Sequence, residues 1–189
     1  GYQIGRDLKQ QGQDINPEVL AQGIRDAQAG RDPQLPAQEM DSLLKSLKTD
    51  IVQKQQEDRN LEQQQIREQY RGEGRAFLAQ NATAKDVITL ASGLQYTIEQ
   101  EGSGMKPGPH DTVRVHYRGT LLDGSEFDSS YRRKTTSEFR VDGVIAGWTE
   151  ALQLMQEGAR WRIFVPADLA YGERGPLADR TVIFDIELV

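Results

Sequence analysis

The sequence contains no cysteine and only two histidines, His110 and His116. Disulfides, thiolate metal sites and cysteine nucleophiles are therefore excluded, and two histidines leave little scope for a histidine-based metal centre. No apolar run approaches the roughly 18 residues that a membrane-spanning helix needs, so no span is expected. Basic charge is not in excess either. Lys and Arg number 23 against 29 Asp and Glu, giving a net charge of −6 with the acidic surplus spread along the chain. Such a chain offers no basic face to track phosphates, which argues against a nucleic-acid partner. The opening residues, Gly-Tyr-Gln-Ile-Gly-Arg-Asp, lack the basic segment, apolar core and cleavage site of a secretory leader, a pattern common to cytosolic and processed chains.

What is present divides in two. Glutamine occurs 16 times in residues 1–81 and 4 times afterwards, while aromatic residues go the other way, 3 against 10. The first half is made of helix formers with almost no β-branched runs; the second has alternating strand patterns, turn glycines and the aromatics of a compact core. An α+β chain is expected, all-α at its N-terminus and then an antiparallel sheet wrapped on a short helix.

In the first half, a short helix is expected through Ile4 and Leu8. Asn16 before Pro17 reads as an N-cap with proline at the first helical position, and Val19, Leu20, Ile24 and Ala27 follow with helical spacing until Gly30. Residues 31–36 form a break. The proline-free stretch from there to Asn81 predicts one helix on the order of 65 Å long. Met40, Leu43, Leu44, Leu47, Ile51 and Val52 form an apolar stripe, after which Lys54 to Asn60 has no apolar residue. The stripe needs a partner, and the sequence reading assigns it to a second copy of the chain, with a monomeric helical hairpin as the alternative. The polar stretch is expected to be a solvated spacer, with a possible bend at Gly72 and Gly74. The resulting divisions are 1–35 as a helical dimerisation region, 36–81 as a connecting helix whose first third shares the dimer interface, and 82–189 as the compact domain.

In the second half, Leu94, Tyr96 and Ile98 alternate with polar residues, as do Val113, Val115 and Tyr117, so each strand shows one face to a core. Asp123-Gly124 is a hairpin turn signal, and Val182, Phe184, Ile186 and Leu188 line one face of a last strand. Trp148, Ala151, Leu152 and Met155 recur at helical spacing and predict one short helix, stopped by Gly158.

Four motifs then occur in order: Val115-His-Tyr-Arg-Gly-Thr-Leu-Leu-Asp-Gly-Ser-Glu-Phe-Asp-Ser-Ser130, Val144-Ile-Ala-Gly-Trp148, Ala170-Tyr-Gly172 and Thr181-Val-Ile-Phe-Asp-Ile-Glu-Leu188. Together they resemble an FKBP domain. Ile4-Gly-Arg-Asp-Leu8, Asn16-Pro17-Glu18 and Gly74-Arg-Ala-Phe-Leu78 further resemble the macrophage infectivity potentiator (Mip) branch of bacterial FKBPs. The resemblance implies a peptidyl-prolyl cis/trans isomerase without cofactor or metal. Its apolar pocket would have Trp148 as floor, Tyr117, Phe127, Val144, Ile145 and Phe184 as walls, and Tyr171 at the rim. The Ile145 N–H and the Tyr171 hydroxyl would hold substrate carbonyls, and Asp128, oriented by Tyr117 and Arg133, would face the twisting bond. His116, alternating with Tyr117, is expected to point away from the pocket, and His110 to be solvated. The resemblance also implies prolyl polypeptides as substrates, the macrolides rapamycin and tacrolimus as inhibitors, a homodimer, and a place in the bacterial envelope, periplasmic or outer-membrane associated, with a leader removed.

Two departures from the family pattern stand out. Residues 173–180 form a short loop where the family has a longer one, leaving Leu177 as the apolar candidate to cover the pocket. Thr136 and Ser137 are polar where eukaryotic members often have an aromatic, which is expected to widen the pocket. The short loop keeps open a second reading, a dimeric chaperone or binding module with weak turnover.

Overall fold

A computed structural model describes residues 2, 3, 6 and 16–189. The helix expected through Ile4 and Leu8 lies outside the described residues. The chain falls into two compact units, Gly1–Glu62 and Gln63–Val189.

In the first unit, helix α1 spans Pro17–Gln28. Its start is set as the sequence suggests: the Asn16 side chain accepts from the N–H groups of Glu18 at 2.9 Å and Val19 at 3.3 Å, two donors that the helix itself leaves without partners. Gly30, at φ +64°, reverses the chain after it. Helix α2 then runs without interruption over Ala37–Asn81. Within this unit the apolar stripe is only partly covered, with Met40, Leu47 and Ile51 half-buried. Val19, Leu43, Leu44 and Val52 are each more than half exposed, and α1 buries no residue.

The second unit begins inside α2. Its sheet comprises β1 (Ile88–Thr89), β2 (Gln95–Gln100), β3 (Thr112–Leu121), β4 (Glu126–Ser129), β5 (Ser137–Arg140), β6 (Arg160–Val165) and β7 (Val182–Leu188). The order is β1-β2-β6-β7-β3-β4, every pairing is antiparallel, and β5 also pairs with β3. One face of the sheet wraps helix α4 (Ala146–Leu154). Val113, Val115, Tyr117, Trp161, Ile163, Val165, Val182, Phe184, Ile186 and Leu188 pack there against Trp148, Ala151, Leu152 and Met155 in one core. Strand β6, with Trp161, Ile163 and Val165 alternating inward, was not recognised from the sequence. Helix α4 ends at Leu154, earlier than expected. The Met155 N–H still bonds Ala151 O, but Gly158, at φ +88°, belongs to the following turn and donates to Leu188 O.

The C-terminal part of α2 covers the other face of this sheet. Phe77 packs against Phe164, ring centroids 5.8 Å apart, and the buried Gln95 side chain donates to Leu78 O at 2.9 Å and accepts from Asn81 at 2.8 Å. Gly74 is buried, and a Cβ there would overlap the Thr181 side chain. The glycine is thus explained by close approach, and the helix continues through both Gly72 and Gly74.

Candidate active site

Strand β3 has β7 along one edge and shares its other edge between two strands: β5 pairs with residues 112–115 and β4 with residues 118–120. His116 and Tyr117 fall in the gap. There the Ser130 hydroxyl accepts from the Tyr117 N–H at 2.8 Å and lies 3.3 Å from Tyr117 O, satisfying backbone groups that no strand reaches. Ser130 is fully buried and opens the single-turn helix α3, Ser130–Arg133, which Ser129 caps from the Arg132 N–H. Ser130 was not singled out from the sequence. Its signal is weak there, since the gap exists only once β4 and β5 are placed.

Helix α3 also accounts for the carboxylate site. Its one turn, closed by Lys134 in the left-handed region, brings Arg133 back over Asp128. The Tyr117 hydroxyl donates to Asp128 Oδ2 at 2.5 Å, and Arg133 donates to Asp128 Oδ1 at 2.5 Å and to the Tyr117 oxygen at 2.8 Å. Ser129 N–H adds a fourth bond, to Oδ1 at 2.8 Å. Partial burial tends to raise the Asp128 carboxyl, but the bonds from Tyr117 and Arg133, the Arg133 charge and the Ser129 N–H outweigh it and hold the group below the ordinary carboxylate range. Burial, followed by the bond to Asp128, pushes the Tyr117 phenol up. Tyr171 is also raised, by burial and then by the charge of Asp128. The result is a fixed anion at the edge of an apolar hollow, with both phenols neutral.

That hollow is a cavity of about 360 Å³ lined by Tyr117, Asp128, Phe139, Gly143, Val144, Ile145, Trp148, Tyr171 and Phe184. Trp148 is 4 % exposed and meets the rings of Tyr117, Phe139 and Phe184 edge-on at 5.2, 5.7 and 5.2 Å. Such perpendicular contacts suit ring quadrupoles and stiffen the walls. Ile145 stands at the N-cap of α4, and its N–H has no partner among the described residues. The Tyr171 hydroxyl is likewise unbonded there, while its ring meets Phe127 edge-on at 6.2 Å.

Of the residues expected at the site, Tyr117, Asp128, Val144, Ile145, Trp148, Tyr171 and Phe184 line the cavity. Phe127 and Arg133 stand one layer behind. Phe127 supports Phe184 at 5.6 Å, an approach open only because Gly119 has no Cβ to strike either ring. Leu177 is half-buried in its loop and is not part of the cavity lining. Phe139 is the aromatic that the sequence reading passed over: it lies two residues beyond Ser137, on β5, and provides a ring on the side expected to be open. His116 points to the other face, stacked on Tyr131 at 4.9 Å with Nδ1 3.0 Å from Ser130 Oγ, and His110 is exposed beside Asp142. Among the described residues there is no group of three or more His, Cys, Asp or Glu able to hold a metal ion, and no helix is long and apolar enough to cross a membrane.

A larger cleft of about 660 Å³ lies in the first unit between α1 and the start of α2, lined by Val19, Gly23, Asp26, Ala27, Pro33, Leu35 and Met40 among others. Its lining has no aromatic ring, and its Asp26 carboxylate accepts from Gln22 at 2.9 Å and from Arg31 at 2.7 Å.

Comparison with known proteins agrees with the geometry. The family model described as FKBP-type peptidyl-prolyl cis-trans isomerase matches residues 103–189, and the domain amino terminal to FKBP-type peptidyl-prolyl isomerase matches residues 1–98. The chain is 44 % identical, over its whole length and 81 % of the relative, to an outer membrane protein MIP of Legionella longbeachae. It is 38 % identical to the FKBP-type 22 kDa peptidyl-prolyl cis-trans isomerase of Escherichia coli, covering all of this chain and 90 % of that one. The crystal structure of FkpA from Escherichia coli superposes with a TM-score of 0.69 at 33 % identity, covering 100 % of this chain and 89 % of that one. With both family models matched and relatives 38 to 44 % identical across all of this chain, the chain belongs to the FKBP-type peptidyl-prolyl cis-trans isomerase family.

Proposed function

We propose that the cavity between Trp148, Phe139, Phe184 and Tyr117 receives the proline ring of a polypeptide substrate and that isomerisation there is non-covalent. The observation that carries this reading is the coincidence of an aromatic hollow with a carboxylate, Asp128, locked by Tyr117 and Arg133. The prolyl amide isomerises over a barrier of about 18 to 20 kcal/mol because twisting removes its resonance. The twisted amide is less polar than the planar one, so an apolar enclosure favours it relative to water. Trp148 forms the floor against which the ring rests. The Ile145 N–H and the Tyr171 hydroxyl, both free donors, take carbonyls on either side of the proline and hold one end while the other rotates. Asp128 stays ionised, and its fixed charge acts on the carbonyl carbon of the rotating amide. Donors from Tyr117, Arg133 and Ser129 keep it in the anionic form.

Prolyl polypeptides are the substrate class, and rapamycin and tacrolimus, whose apolar rings suit the same hollow, are the expected inhibitors. The partly covered stripe of α1 and the start of α2 supports a homodimer through residues 1–35 and the first third of the connecting helix, with residues 82–189 as the isomerase domain. An outer membrane protein among the relatives supports a place in the bacterial envelope. Asp128→Ala in a protease-coupled prolyl-peptide assay tests the site: kcat/KM falls about 10-fold or more, a loss of roughly 1.4 kcal/mol of transition-state stabilisation. An unchanged kcat/KM in a folded variant would reject the role of the carboxylate.

A further inference from the structure

The loop of residues 173–180 begins directly behind Tyr171 and Gly172 and has little apolar anchorage of its own. Residues 173–176 are exposed and Leu177 is only half-buried. What holds it is polar and comes from α2. Asp179 is 1 % exposed and adopts the left-handed region at φ +61°. Arg71 Nε donates to Asp179 Oδ1 at 2.5 Å, and Arg67 Nε lies 3.2 Å from Oδ2 without an aligned hydrogen bond. The same two arginines reach the start of the loop: Arg67 donates to Glu173 O at 2.5 Å and Arg71 pairs with the Glu173 carboxylate at 2.9 Å. Across the loop, the Asp179 N–H donates to Gly172 O at 2.7 Å. Just beyond it, the Arg180 guanidinium lies 3.7 Å from the centroid of the Tyr70 ring.

A buried carboxylate is tolerated only where cations and hydrogen bonds offset its lost hydration, so Asp179 commits the end of the loop to the helix. Its N–H then commits Gly172, the residue after Tyr171. The chain from Arg67 and Arg71 through Asp179 ends at Gly172, next to Tyr171, whose hydroxyl has no partner among the described residues. We propose that Arg67 and Arg71 are positioning residues of the isomerase, setting the place of the Tyr171 hydroxyl and through it the grip on substrate. The inference rests on the reading of Tyr171 as a carbonyl donor. It also gives the segment of α2 beyond residue 62 a part in the reaction that a mere spacer lacks.

The test is a double-mutant cycle in the full chain, with kcat and KM for a prolyl peptide read from exchange rates. Arg71→Met raises KM about 5-fold with kcat little changed, Arg71→Lys restores part of the loss, and Arg71→Met has no further effect in a Tyr171→Phe background. Arg71→Met combined with Asp179→Asn repeats the cycle without stranding a buried charge, should the single variant be too unstable to assay. An Arg71→Met that lowers only the melting temperature, or that raises KM equally in both backgrounds, overturns the proposal. A Tyr171→Phe variant with wild-type kinetics instead overturns the reading of Tyr171 beneath it, and the two failures are told apart by that single variant.

Discussion

Ser130 completes the backbone of Tyr117 as a strand would. Its hydroxyl accepts from the Tyr117 N–H at 2.8 Å and lies 3.3 Å from the Tyr117 carbonyl, at the point where β4 has ended and β5 has not begun. The tyrosine that orients Asp128 is therefore held by a side chain, and the same short helix that carries Ser130 also delivers Arg133. Removing the hydroxyl leaves a buried N–H without a partner. Ser130→Ala is expected to lower stability by about 1 to 3 kcal/mol in urea denaturation, with a fall in kcat/KM as Tyr117 shifts. A wild-type midpoint would mean that the hydroxyl contributes little.

The two glycines of α2 should respond in opposite directions to alanine. Nothing lies within 4 Å of a Cβ at Gly72, so Gly72→Ala gains helix propensity and stabilises by about 0.5 to 1 kcal/mol. At Gly74 a Cβ overlaps Thr181, a short buried side chain with little room to yield, so Gly74→Ala destabilises by about 1 to 3 kcal/mol. Thermal melts of the two variants check the contrast directly.

Phe139 and Leu177 separate what touches the cavity from what borders it. Phe139→Leu keeps an apolar side chain but removes the ring edges facing Tyr117 and Trp148, contacts worth about 0.5 to 1.5 kcal/mol each, and should lower kcat/KM several-fold and weaken rapamycin binding. Leu177→Ala should leave kcat/KM within about 2-fold, because the leucine does not line the hollow. Calorimetric titration of rapamycin against both variants gives a reading independent of turnover.

The pH dependence follows from the sign of each shift. Asp128 has a depressed folded value, so the stability it contributes is complete above the unfolded value of about 3.9 and is lost as pH falls through the lower folded one. Tyr117 and Tyr171 are raised above their ordinary value of about 10 and stay neutral below it. The charge of the site is thus constant, and kcat/KM should be flat between about pH 5 and 9. His116 contacts Ser130 behind Tyr117, and His110 pairs with Asp142 beside Gly143. A step in kcat/KM within that range would contradict a constant charge at Asp128, Tyr117 and Tyr171.

Most of the cavity lining was legible in the sequence because the motifs are local: Tyr117, Asp128, Val144, Ile145, Trp148, Tyr171 and Phe184 each lie inside a contiguous signature. Helix α1 and the extent of α2 were legible too, from the Asn16-Pro17 cap and the absence of proline up to Asn81. What escaped was relational. Phe139 matters because β5 pairs with β3, Ser130 because two strands leave a gap, and Gly74 because Thr181 packs on it. The buried carboxylate of Asp179 also escaped, since its partners Arg67 and Arg71 lie more than a hundred residues away. Periodicity reports which face a residue occupies, not which distant residue will meet it.

The most direct measurement is the cis/trans exchange rate of a short prolyl peptide with the folded chain, by NMR, with and without rapamycin. The account predicts exchange far above the spontaneous process, which takes tens of seconds or more, and its suppression by one equivalent of the macrolide. Spontaneous-rate exchange from a folded chain that still binds rapamycin would contradict it, leaving the aromatic hollow a binding pocket without turnover.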